Sequence, residues 1–388
     1  MLLAPVAQAK SVRQPERIAV KADPDTLLIS IYKDLASNHL SEAQSKADAL
    51  VQAFPNFHLG HLIRGDLLLM HTQPVTALGG AATGAPVDKL KDLRDEAMVR
   101  LKSLSARPNP ELAPRNVLQL RDDQRFVFVV DAKQSRLYVY QNQSGQLKFV
   151  TDYYITQGKL GVNKLKEGDQ KTPLGVYYIT GRVSQAKLPP FYGAGALRIN
   201  YPNEWDKLNG RSGSGIWLHG TPFDSYSRPP LASDGCVVLT NADLKQLNLS
   251  VEIGKTPVII SDHVEFVDKN KWNAERNGAS QMVDAWRHDI ESMDPQRVLK
   301  NYSAKFRSAM GEDLHTWFEK YKGALSGANA PALKLSEMTL FRYPGREDVI
   351  VGTFTQETTL GRSKSSIRKR QYWAKEGQAW KIVYESNM

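Results

Sequence analysis

The chain has 388 residues, too many for one compact core, so roughly two or three domains are expected. Hydrophobic residues make up 41% and charged residues 24%, which is ordinary for globular protein, and no run of ~18 apolar residues encodes a helical membrane span. The single cysteine excludes an intrachain disulfide and a thiolate-based zinc site, while a net charge of +10 favours acidic partners such as nucleic acid or an anionic cell envelope.

The first nine residues, "MLLAPVAQA", end in Ala7-Gln8-Ala9 before Lys10. That ending resembles the tail of a secretory signal without its basic n-region, so residues 1–24 read as a truncated signal remnant and a polar lead-in. From Asp25 to about Thr72 the spacing is helical. Leu27, Leu28, Ile31 and Leu35 share one face, then Ala43, Ala47, Leu50 and Val51 share another. Pro55 in "FPN" stops the second helix, and a third runs through Leu59, Leu62, Leu67 and Leu69. "GGAATGAP" at 79–86 is a break, and a fourth helix over about 87–105 leads into "ARPNPELAP". Residues 25–120 are therefore expected to form a helical module resembling a tetratricopeptide-like hairpin, too short for a solenoid. No catalytic constellation appears in it, so it reads as a docking or dimerisation element, and a homodimer is one expectation.

From Arg125 the pattern changes to strands. "FVFVVDAKQSRLYVYQ" reads as a hairpin, followed by "FVTDYYITQGK", "TPLGVYYITGRV", "LRINYP", "GIWLHG" and "TPVIIS". Residues 121–263 are expected to be a mostly-β sandwich or barrel. Residues 264–388 place helices before a long antiparallel sheet with Trp-containing strands, an order that resembles the cone-shaped NTF2-like fold. The fold class is thus multidomain α+β. The densest basic stretch, "RSKSSIRKR" at 362–370, is expected between two strands as a solvated face.

The sole cysteine lies in "LASDGCVVLTN" (231–241), on a turn marked by Ser233, Asp234 and Gly235. A thiol becomes a nucleophile only with a base or a positive environment beside it. Of eight histidines, only His219 and His263 fall in or beside the β-rich region, and His219 ends the apolar strand "GIWLHG". The polar loop "TPFDSYSRPPLAS" between His219 and Cys236 can return the chain to that strand end. The carbonyl of Gly220 or Thr221 is placed to fix the imidazole tautomer. The N–H groups of Gly235 and Cys236 are candidate oxyanion donors. Thiol catalysis of this kind implies no metal and no organic cofactor.

"HGTPFDSYSRPPLASDGC" resembles the signature of the L,D-transpeptidase (YkuD) catalytic domain family, with "KTPLGVYYIT" and "KTPVIIS" in supporting positions. The resemblance covers about 125–262. It implies that Cys236 is the nucleophile, His219 the base and the Gly220 carbonyl its orienter, with the Gly235 and Cys236 amides as the oxyanion site. The substrate implied is the L,D-peptide bond of a peptidoglycan stem, attacked through a thioacyl enzyme and resolved by an amine or by water.

Two positions depart from the family pattern. Asp234 stands where a His is usual, and an anion there raises the thiol pKa unless it serves the loop. Val238 stands where an Arg is usual, so Arg228 or Arg211 is the candidate replacement anchor. These departures resemble the subgroup with a C-terminal NTF2-like domain, including L,D-carboxypeptidase-like members. Enzymes that release lipoprotein from peptidoglycan are a further resemblance. In that setting Tyr201, Trp205 and Arg211 line the groove, with core packing as the alternative. Ser233 and Asp234 join Arg228 as candidate substrate contacts.

The expected function is a periplasmic L,D-transpeptidase acting on peptidoglycan stem peptides, with an envelope protein as a further acceptor or substrate. The alternatives are hydrolysis by the same thioacyl route and a catalytically silent peptidoglycan-binding scaffold. A nucleic-acid partner is not expected.

Overall fold

The computed structural model describes residues 23–105, 107–325 and 330–388, so the leader-like residues 1–9 lie outside the described part. Four helices come first: α1 (Pro24–Ala36), α2 (Leu40–Ala53), α3 (His58–Met70) and α4 (Val87–Ser105). Asp23 caps α1 by accepting the Thr26 N–H at 3.0 Å, and Pro24 presets the first turn. Ala43 and Ala47 are fully buried, and their small side chains let neighbouring helices approach closely. In α3 the buried stripe is Leu59, Ile63 and Leu67, at i+4 spacing, while Leu62 and Leu69 are only half-buried.

Residues 107–120, read with the helical module, are not helical. Val117–Gln119 is a strand on the edge of the C-terminal sheet, paired with Ala332–Arg342, and Ala113–Pro114 pairs with Phe266–Val267. Strands this short carry no periodic signal, so their register depends on partners more than a hundred residues away.

The second unit is built on an eight-stranded mixed sheet. Its order is Val237–Val238, Trp217–His219, Gly195–Ile199, Gly175–Ser184, Pro257–Ser261, Phe126–Asp131, Arg136–Gln143 and Gln146–Tyr154. The run "FVFVV" lacks polar alternation because both of its faces are covered. Phe128 and Val130 face one core with Tyr177, Leu218, Val258 and Ile260. Val127 and Val129 face a second core that includes Phe341, Tyr343, Val351 and Tyr372 of the C-terminal sheet. Two short helices complete this unit, α5 (Glu204–Leu208) and α6 (Asn241–Leu249).

In the third unit, α7 (Lys269–Glu291) lies across one face of a six-stranded sheet, burying Val283 and Trp286 against Leu340, Ile350, Phe354 and Trp373. The opposite face is the one packed on the β-rich unit. The protein is thus α+β, with a helical N-terminal region, a mostly-β middle and an NTF2-like C-terminal domain. No helix among the described residues is long and apolar enough to cross a membrane.

The basic stretch 362–370 does not lie between strands but runs into the strand Ser363–Glu376, and three of its cations are paired. Arg368 meets Glu337, Lys369 meets Glu385, and Nη1 of buried Arg370 donates to both carboxylate oxygens of Glu204 in α5, at 2.8 and 3.0 Å. Tyr372 Oη–H adds a hydrogen bond to the same carboxylate at 3.2 Å. A hydrogen bond between an ionised guanidinium and a carboxylate is a strong contact, so this pair helps hold the two units together.

Candidate active site

His219 ends a strand that pairs in parallel with Val237–Val238, in the register Leu218 with Val237 and His219 with Val238. Cys236, one residue before that short strand, therefore arrives next to Trp217, on the side of the ladder that His219 shares. Tyr192 closes the group, with its ring 4.9 Å from His219 and 5.3 Å from Trp217. The loop between His219 and Cys236 returns the chain to the strand beside that of His219.

The imidazole is buried, and its Nδ1 lies 2.7 Å from the Gly220 carbonyl. A carbonyl only accepts, so Nδ1 carries the proton and Nε2 presents a lone pair. Burial pushes the His219 pKa down to about 4, Arg228 pushes the same way, and the Gly220 carbonyl opposes them. Burial likewise pushes the Cys236 thiol up to about 11. Asp234 adds to that rise, as expected, but as a minor cause, and Arg228 and Lys164 oppose it. At neutral pH the pair is thus a thiol and a neutral imidazole. The Sγ–H is directed at the Gly215 carbonyl at 3.4 Å, and no hydrogen bond joins Sγ to His219 among the described residues.

Gly220 is glycine for a packing reason. A Cβ there would stand 2.1 Å from Asn241 Oδ1. That amide accepts the Ala194 N–H at 2.8 Å and donates to the Thr221 carbonyl at 2.8 Å, tying the 193–194 turn to the end of the histidine strand. Gly235 is held at φ +128°, where a Cβ would come within 2.8 Å of the Lys171 carbonyl. Thr172, from the "KTPLG" segment, donates to the Gly235 carbonyl at 2.9 Å and backs the cysteine turn.

Several expected roles change. The Gly235 N–H donates to Ser233 Oγ at 3.1 Å, so it is not a free oxyanion donor. The Cys236 N–H has no hydrogen-bond partner among the described residues and remains available. Ser233 is buried and donates to the Cys236 carbonyl at 2.6 Å, so it builds the turn and offers no open contact to substrate. Asp234 is exposed and hydrogen-bonded by Lys159 at 2.9 Å and Gln170 at 3.2 Å, which keeps its carboxyl below the usual range.

Tyr201 and Trp205 are buried, and the cavity that Trp205 borders is shared with the C-terminal domain through Arg346 and Lys375. Trp205 is 6% exposed and stacks on Tyr372 in the contact with the C-terminal sheet, with ring centroids 5.3 Å apart. Tyr201 is buried in the core beside Tyr177. Arg211 reaches Asp206 at 3.3 Å, a buried carboxylate that also accepts from Tyr177. Burial of large rings between domains is a tertiary fact that the local sequence does not carry.

Arg228 does sit at the site. Its guanidinium carbon lies 4.8 Å from the centroid of the exposed Phe191 ring, and it acts electrostatically on both His219 and Cys236. Nη2 donates to the Ala232 carbonyl at 2.6 Å, while Nη1 is buried without a hydrogen-bond partner. Sequence reasoning missed Phe191, Tyr192 and Asn241. The available signal was an aromatic pair between prolines and a glycine in "LPPFYG", a loop composition suited to a binding wall.

Residues 124–260 match the family model of the YkuD L,D-transpeptidase catalytic domain, and residues 279–386 match that of the Cds6 C-terminal NTF2-like domain. Among solved structures, Bd1075 of Bdellovibrio bacteriovorus is 31% identical, with 71% of this chain and 98% of that chain covered and a TM-score of 0.64. The helical cell shape determining protein Pgp2 of Campylobacter jejuni is 23% identical, with coverage of 70% and 95% and a TM-score of 0.59, which shows a shared fold. No curated protein matches the chain. The identity to Bd1075 over nearly its whole length, together with the two domain matches, shows that the chain belongs to the L,D-transpeptidase (YkuD) catalytic domain family, in the form that carries a C-terminal NTF2-like domain.

Proposed function

We propose that the protein is an L,D-transpeptidase of the cell envelope that cuts the terminal L,D-peptide bond of a peptidoglycan stem and passes the acyl group to an amine. The observation that carries this reading is the His219 tautomer. Nδ1–H is committed to the Gly220 carbonyl at 2.7 Å, so Nε2 is the basic atom, on the strand paired with the one that follows the only cysteine.

With both groups neutral at rest, the Sγ proton passes to Nε2 as the C–S bond forms. The resulting oxyanion meets the Cys236 N–H. Collapse breaks the C–N bond, and the leaving amine takes the proton from the imidazolium. A second amine then attacks the thioester, gives its proton to His219, and expels sulfur, which regains that proton. The departing residue carries a free carboxylate, and the Arg228 cation beside His219 and Cys236 is the charge that attracts it. Asp234, ionised and exposed beside the site, favours approach of a cationic acceptor.

Hydrolysis is the second reading. Val238, at the position of the family arginine, is buried, so the usual anchoring cation is missing there and water has less competition. An envelope protein linked to peptidoglycan is a further substrate of the same chemistry. Either substrate implies a periplasmic location.

Incubation with disaccharide-tetrapeptide muropeptides, resolved by mass with Cys236→Ala as control, separates the readings. A Cys236-dependent cross-linked dimer supports transfer. Loss of the terminal residue without dimer supports L,D-carboxypeptidase activity. No Cys236-dependent product overturns both.

A further inference from the structure

The loop 221–232 between the two reacting residues is not held by its own domain alone. Its centre is gripped by the N-terminal helical module. The Tyr226 ring lies between Phe54 and Phe57, with centroids 5.0 and 5.1 Å away. The Tyr226 N–H donates to the Asn56 carbonyl at 3.0 Å, and Asn56 Nδ2 donates to the Phe223 carbonyl at 2.9 Å. Both partners come from the α2–α3 turn, the segment that Pro55 shapes. Ser227 Oγ–H then donates to Glu96 of α4 at 2.6 Å.

Glu96 is buried and also accepts from Arg100 at 2.9 Å. Arg100 continues to Asp25 of α1, and Asp25 to Arg136 of the eight-stranded sheet at 2.8 Å. The module is thereby tied to the sheet by a buried ionic chain as well as to the loop. Its place relative to the loop is consequently fixed.

The next loop residue is Arg228. Its carbonyl accepts from Tyr154 and Thr156, both at 2.9 Å, and its guanidinium lies over Phe191 next to His219 and Cys236. Two consecutive residues, 226 and 227, are thus held by the helices, and the third carries the cation at the site.

We propose that the helical module is a positioning element for the reaction, with Phe54, Asn56, Phe57 and Glu96 setting the 221–232 loop and through it the placement of Arg228. This rests on the reading of Cys236 and His219 as the reacting pair and adds a role for a module that touches neither. Moving a substrate-binding charge away from its ligand weakens binding before it touches the chemical step, so the effect belongs in KM more than in kcat. The pairing of Val238 with His219, which sets where Cys236 stands, includes no residue of the module, and Arg228 is a lesser influence on the thiol pKa than burial.

The test uses the full chain with Tyr226→Ala, Asn56→Ala and Tyr226→Phe. Three readouts are taken: hydrogen exchange over residues 221–232, steady-state kinetics on a stem tetrapeptide, and the rate of Cys236 alkylation by iodoacetamide. Tyr226→Ala and Asn56→Ala are expected to speed exchange in the loop and to lower kcat/KM about 10- to 100-fold, mainly through KM. Alkylation should stay within about twofold of wild type, since uniform binding and not thiol chemistry is lost. Tyr226→Phe keeps the ring between Phe54 and Phe57 and is expected to restore wild-type behaviour.

Unchanged exchange and unchanged kcat/KM in Tyr226→Ala would overturn the proposal. So would a parallel fall of alkylation and turnover with a general rise in exchange, which marks plain destabilisation. A wild-type protein that shows no Cys236-dependent turnover overturns the enzymatic reading instead, and loop exchange then still decides whether the module holds the loop.

Discussion

The Nδ1–H of His219 donates to the carbonyl of Gly220, its neighbour in the chain, at 2.7 Å. A histidine that hydrogen-bonds the next residue's carbonyl needs no carboxylate partner to choose its tautomer. Burial keeps the imidazole neutral, and Arg228 works the same way against the opposing pull of the Gly220 carbonyl.

The first prediction follows from that electrostatics. With the thiol near 11 and the imidazole near 4, the thiolate fraction in the free enzyme is small at pH 7 and grows with pH. The rate of Cys236 alkylation by iodoacetamide should rise steadily from pH 6 to beyond pH 9. A plateau already reached by about pH 6 would show a preformed thiolate–imidazolium pair and refute this account. Acylation by a carbapenem, which uses His219 as base, should be slowed about 10²–10⁴-fold in His219→Ala. An alanine variant that acylates at the wild-type rate removes His219 from that role.

Gly220 and Asn241 should behave as one unit. In Gly220→Ala the new methyl meets Asn241 Oδ1 at 2.1 Å and the Ala194 N at 3.0 Å, so something must shift. Thermal unfolding is expected to show a loss of about 1–3 kcal/mol from overpacking, with acylation strongly reduced. Asn241→Ala removes the main obstacle but also two hydrogen bonds. The double variant should therefore be more stable than the sum of the two single losses predicts. Simple additivity would mean that the clash is relieved elsewhere.

For Arg228, removal of the side chain should raise KM for a stem peptide ending in a free carboxylate. A stem ending in a carboxamide should respond much less, because the lost partner is the charge. Arg228→Lys should recover only part of the effect, since Nη1 and Nη2 serve different directions from one planar group. Equal effects on the two stems would assign Arg228 to loop structure alone.

The docking of the β-rich and C-terminal units has its own test. Glu204→Gln leaves the buried Arg370 guanidinium without its carboxylate, and breaking such a pair on one side costs about 3–5 kcal/mol. Calorimetry should show a lower melting temperature or separation into two transitions. The replacement of both residues by apolar ones should cost less than Glu204→Gln alone. If Glu204→Gln melts like wild type, the pair is a contact without structural weight.

Much of the site was legible because its parts lie close in sequence. His219, Gly220 and Cys236 are joined by one loop, and a lone cysteine beside a glycine turn is a chemical signal by composition. The helices over 24–105 were legible for a similar reason, since apolar spacing and the breaks at Pro55 and 79–86 are local. Trp205 was not. Its aromatic ring suits a sugar or peptide groove as well as an interface, and only the stacking on Tyr372, 167 positions later, decides between them. Ser233 and Asp234 are adjacent, yet one is buried in the turn and the other is exposed and paired with Lys159.

The sequence by itself determined the chemistry available to this protein: one thiol, two imidazoles in or beside its own domain, and glycines where backbone must pass close. The tertiary structure alone decided the state of those groups and who holds them. Burial makes the pair neutral, Asn241 explains Gly220, and Asn56 reaches Phe223 across 167 residues to grip the loop that carries Arg228. Desolvation and long-range contacts depend on what surrounds an atom in space, and that is set only when distant segments pack together.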